Sequence, residues 1–189
     1  MTAINILERE QLPVTTELAD LINSNPFDQN MYDNLCRFMI YFSLAESKLA
    51  HMGEGIGGTD KLAKVLKAYN GIDNDVINDS YAFFVRRYRD TPGSEARFRK
   101  LAPSDYVGVR QMRKFEDLLQ LQAPTMEEKV SFVFKVIFRL RHNLFHGEKW
   151  SYKLEGQNEN FFAFCKRSAI SVNPHSRKIV ESLISIKCY

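Results

Sequence analysis

The chain has 189 residues, 44% of them apolar and 12% aromatic, enough material to close one sizeable core without metal or disulfide staples. Its formal charge of +3 is too small to imply a nucleic-acid partner by itself, and no apolar run approaches the ~18 residues of a membrane-spanning helix. Cys36, Cys165 and Cys188 are odd in number and outside any CxxC or zinc-like spacing, and the opening MTAINILEREQLPV lacks the basic start and apolar centre of a secretion signal. These features predict a single domain in a reducing, cytoplasmic setting with no membrane partner.

Taken in chain order, Asn25 and Pro26 act as breakers ahead of residues 31–50, where Leu35, Phe38, Met39, Phe42, Ala45 and Leu49 recur at spacings near three and four. That pattern predicts an amphipathic helix with a rich apolar face. Gly53, Gly55, Gly57 and Gly58 form a turn, after which Thr59 has the side chain of an N-cap for a helix over 60–69, stopped by Asn70 and Gly71. A third helix is predicted over 75–90, ending before Thr91-Pro92-Gly93, with its aromatic residues 81, 83, 84 and 88 as packing groups. Pro103, Gly108 and Pro124 interrupt the next stretch and leave a surface helix over 109–122. Thr125 and Glu128 then have the spacing of a capping box, opening a helix whose buried side is Val130, Val133, Phe134, Ile137, Phe138 and Leu144, with Gly147 as its terminator. Two further helices are predicted over 160–168 and 176–187, separated by Asn173-Pro174.

From Arg86 to Lys114 there are nine basic and three acidic residues, a local net charge of +6. Arg97, Arg99, Lys100, Arg110, Arg113 and Lys114 are candidates for steering a phosphate polymer without reading its sequence. The same pattern equally suits a solvated helix and loop face.

The densest chemistry lies in LRHNLFHGE, residues 140–148, where His142 and His146 are four apart beside Arg139 and Arg141. On an unbroken helix Arg139 and His146 lie about 20° apart around the axis and roughly 10 Å apart along it, with Asn143 between them. Arg141 and His146 diverge by about 140°, so they meet over one substrate only if the helix ends or distorts near Gly147 or a second subunit completes the site. A histidine there can move protons and a guanidinium can stabilise charge gathering on phosphorus. The plain alternative is a solvated helix end carrying an incidental histidine pair. A metal hydrolase is disfavoured because His142 and His146 lack the HExxH glutamate and a placed third ligand.

RHNLFHG, residues 141–147, resembles the Arg-x4-His motif of the HEPN superfamily, down to its setting after a long apolar helix and its His146-Gly147 ending. The resemblance implies an all-α bundle of four to five helices, usually dimeric, and in many members a metal-independent endoribonuclease of toxin–antitoxin, antiphage or RNA-processing systems. It gives Arg141 and His146 the catalytic positions and His142 the polar position after the arginine, which in the family is more often Asn or Asp. Asn143 lies one place later and can keep that role, while Arg139 offers a second register. Glu46, on the helix over 31–50, becomes the acid directed toward the site. On this reading residues 1–189 form one domain, 90–124 are a basic insertion, RNA is the partner, and no cofactor is needed. A homodimer and an antitoxin or regulatory protein are the implied protein partners, and a noncatalytic RNA-binding or protein-interaction module is the competing function.

Overall fold

The computed structural model describes residues 16, 29–49, 58–68, 73–102, 109–145 and 159–161. Among these residues six α-helices follow in order: α1 (Gln29–Leu49), α2 (Thr59–Ala68), α3 (Asn74–Val85), α4 (Ser94–Leu101), α5 (Val109–Gln120) and α6 (Met126–Phe145). A π-helical turn, Arg86–Asp90, prolongs α3, and residues 159–161 are also helical. The fold is all-α, with no strand among the described residues. None of the described helices is long and apolar enough to cross a membrane. The predicted helices over 160–168 and 176–187 lie outside the described residues, apart from residues 160 and 161.

Two helix starts are explained by capping side chains. Asp73 caps α3, its Oδ1 accepting from the amides of Asp75 at 3.0 Å and Val76 at 3.2 Å. The capping box at α6 forms as expected: the Thr125 amide donates to Glu128 Oε2 at 2.7 Å and the Glu128 amide to Thr125 Oγ1 at 3.3 Å. The Thr125 amide foremost, and then its hydroxyl, which donates to the same Oε2 at 2.8 Å, hold the Glu128 carboxyl below its ordinary pKa.

The sequence pattern predicts one buried face on α6, but the structure encloses the helix all round, every residue from Val130 to Ile137 being buried. Around it runs a chain of aromatic contacts. Phe42 of α1 meets Phe138 edge-on with centroids 5.4 Å apart, Tyr81 of α3 meets Phe132 at 5.4 Å, and Phe115 of α5 meets Phe132 at 5.5 Å. Phe98 of α4 continues the chain to Phe115 at 5.0 Å and to Tyr88 at 6.2 Å. Tyr81, Phe84 and Tyr88 are thus the packing groups the sequence suggested, with Phe83 half-buried. The stretch expected as an insertion, 90–124, supplies Phe98, Leu101, Ala102, Met112, Phe115 and Leu119 to this same core. It is part of the foundation of the fold, since each such aromatic contributes ~3–5 kcal/mol against truncation.

A cation is buried inside this enclosed helix. Lys135 is fully buried, its Nζ donating to Asp60 Oδ1 at 2.9 Å and to Thr59 Oγ1, while Ser131 also donates to Asp60. The Thr59 hydroxyl accepts from Lys135 and so ties the first turn of α2 to α6. Burial pushes the Lys135 ammonium below its ordinary pKa against the pull of Asp60. Partial burial raises the Asp60 carboxyl, but the hydrogen bonds from Ser131 and Lys135 outweigh it, and the net shift is downward.

Candidate functional site

The last two turns of α6 carry the motif residues, and they divide by direction. Arg139 and Asn143, four apart, share one face, and both are buried. Arg139 donates from Nη2 to Asn143 Oδ1 at 2.7 Å and from Nε to the Leu101 carbonyl at 3.2 Å. Asn143 Nδ2 reaches the Leu101 carbonyl at 2.8 Å and the Lys100 carbonyl at 3.4 Å. These carbonyls end α4 and have no acceptor role within it, so a guanidinium at that negative helix end is doubly favoured. The two residues expected to support a site therefore cap a neighbouring helix.

Arg141, about 200° further round the helix, points elsewhere. Half-buried, it sets its guanidinium carbon 5.6 Å from the Phe42 ring centroid and 4.9 Å from that of Phe145, which is 51% exposed. His142 is half-buried in the same turn. His146 and the side chain of Glu46 lie outside the described residues.

The basic segment divides in the same way. Arg97 Nε donates to the Arg87 carbonyl at 3.1 Å, and its Nη2 donates to the Pro92 carbonyl at 2.8 Å and to Thr91 Oγ1. With Ser94 Oγ on the Arg89 carbonyl at 3.0 Å, these bonds close the end of α3 and its π-helical turn. Gly93 makes the reversal possible, holding a left-handed φ of 74°. Arg89 serves α5 likewise: Nη1 donates to the Leu119 carbonyl at 3.1 Å and to that of Leu121 at 3.4 Å. Arg99 pairs with Glu116 at 3.1 Å, and Lys100, Arg110, Arg113 and Lys114 have exposed side chains. Sequence reading counts all nine cations as one field and misses that Arg89 and Arg97 each hold a helix end.

A cavity of about 260 Å³ opens beside the π-helical turn. Arg86, Arg87 and Arg97 line it with Phe83, Thr91 and Pro92, and the Glu159 carboxylate lies on the Arg87 guanidinium. Arg87 also stacks over Tyr88, its guanidinium carbon 5.9 Å from the ring centroid; burial raises the Tyr88 phenol pKa against the opposing pull of Arg87 and Asn160. This grouping was not legible in the sequence, because Arg87 and Glu159 are 72 positions apart. Among the described residues no group of three His, Cys, Asp or Glu side chains could hold a metal ion. Compared with family models, curated proteins and solved structures, the chain matches none.

Proposed function

We propose that the protein is a metal-independent endoribonuclease in which Arg141 and His146 act on the scissile phosphate. The observation that supports this reading is the contrast between the motif's two arginines: Arg139 is buried on carbonyls, whereas Arg141 is only half-buried, with the Phe42 and Phe145 rings against its guanidinium. A guanidinium so braced keeps its orientation, which is what binding a phosphate oxygen requires. In the reaction the 2′-oxygen bonds to phosphorus as the bond to the 5′-oxygen breaks. A base takes the 2′ proton, an acid supplies one to the leaving oxygen, and the products are a 2′,3′-cyclic phosphate and a 5′-hydroxyl. His146 takes one of these proton-transfer roles and Arg141 holds the nonbridging oxygens. The exposed Lys100, Arg110, Arg113 and Lys114 provide the approach for the polymer.

Purified protein is expected to cut varied RNAs in EDTA, and His146→Ala is expected to fold normally and lose that activity. Well-folded protein that leaves every RNA intact excludes the reading. A noncatalytic RNA-binding module is the second reading, favoured by the exposed Lys100, Arg110, Arg113 and Lys114. It predicts RNA binding that survives His146→Ala with no strand cleavage by either protein.

A further inference from the structure

We propose that the cavity beside the π-helical turn binds the phosphate monoester of a nucleotide, and that Glu159 holds the anion position until the ligand displaces it. Among the described residues three guanidiniums, Arg86, Arg87 and Arg97, line the space with one carboxylate, Glu159, an excess of two positive charges. With Glu159 displaced the three guanidiniums remain, and a phosphate monoester, at about −1.5 to −2 near pH 7, neutralises more of their charge than the single charge of a phosphodiester does. A carboxylate and a phosphate present oxygens to a guanidinium in the same way, and the Glu159 side chain on Arg87 therefore marks an oxyanion position.

The two partners differ in how firmly they are held. The Arg87 side chain is 11% exposed and that of Glu159 71%. An ion pair with one member in solvent is weak and exchangeable. Arg97 is pre-set by its bonds to the Arg87 and Pro92 carbonyls, so the wall of the cavity needs no ordering when the ligand arrives. The π-helical turn that brings Arg86 and Arg87 to one side is a local distortion found disproportionately at functional sites. Phe83 in the lining offers a ring for a base, and 260 Å³ suits one phosphate with one planar ring better than a longer ligand.

The experiment is calorimetric binding of adenosine 5′-monophosphate, adenosine, a phosphoserine peptide, and a short 2′-O-methylated RNA, which has no free 2′-hydroxyl to attack, with either a 5′-phosphate or a 5′-hydroxyl to the full chain. The monophosphate is expected to bind more than about tenfold tighter than adenosine, and Arg86→Met to weaken it about tenfold. Glu159→Gln, an exposed change, is expected to tighten it about two- to fivefold by removing the competing anion. Preference for 5′-phosphorylated RNA over the mononucleotide assigns the site to an RNA end, and the reverse preference assigns it to a free nucleotide. Equal affinity for adenosine and its monophosphate, an unchanged or weaker affinity in Glu159→Gln, or a phosphopeptide binding as tightly as the nucleotide overturns the proposal. The readout is binding, so it stands apart from whether the chain cuts RNA.

Discussion

Two sets of arginines in this molecule have the same chemistry and opposite surroundings. Arg89, Arg97 and Arg139 each donate to backbone carbonyls at or near the end of a helix, on α5, the prolonged α3 and α4 respectively. Arg86 and Arg87 face a cavity, which Arg97 also lines while holding its carbonyls, and among the described residues its one carboxylate comes from an exposed side chain. A carbonyl fixed in a helix end cannot leave, so the first set is structural. A solvent-exposed carboxylate can leave, and the second set is open to exchange. Net charge along the sequence does not separate the two, because the distinction lies in the acceptor.

The comparison breaks most visibly at Arg139. Arg139→Met is expected to cost about 3 kcal/mol in urea unfolding, since it removes a charged hydrogen bond and leaves Asn143 Oδ1 without its donor inside the core. Lys135 is the intermediate case, a fully buried cation on a carboxylate whose side chain is 46% exposed. Asp60→Ala strands that cation and is expected to cost about 2 kcal/mol, below the usual range for a buried pair because water reaches Asp60. Lys135→Met is expected to fall within about 1 kcal/mol of wild type, because the cation is removed together with its desolvation penalty.

Acid sharpens the same point. The folded-state pKa of Asp60 is depressed, so its contribution is complete above the ordinary 3.8 and is lost as pH falls through the folded value. Thermal unfolding between pH 7 and 3 should therefore decline more steeply in wild type than in Asp60→Asn. The smallest expected effect is at the cavity: Arg86→Met should leave unfolding within about 0.5 kcal/mol of wild type, as for an exposed residue. A large loss there would move Arg86 into the structural set.

What the sequence made legible was local. The Thr125–Glu128 capping box and the end of the third helix before Thr91-Pro92-Gly93 depend on residues within one turn of each other, and both are seen. Arg139 and Leu101 are 38 positions apart, and Lys135 and Asp60 are 75 apart. No periodicity connects such pairs, so Arg139 read as a site residue and SFVFKVIF gave no sign of what its lysine meets. The motif itself named Arg141 and left Arg139 as a second register. The packing of α4 against α6 gives Arg139 its carbonyls, and Phe42 of α1 gives Arg141 a ring.

The most direct test is the RNA cleavage rate in EDTA, at saturating RNA and scaled to folded protein, for Arg139→Met and Arg141→Met side by side. If Arg139 caps α4 and Arg141 binds the scissile phosphate, the first variant cuts within a few-fold of wild type. The second falls by about 10²-fold or more, the usual loss when one transition-state donor is removed. Equal losses in the two variants, or the larger loss in Arg139→Met, would contradict that division.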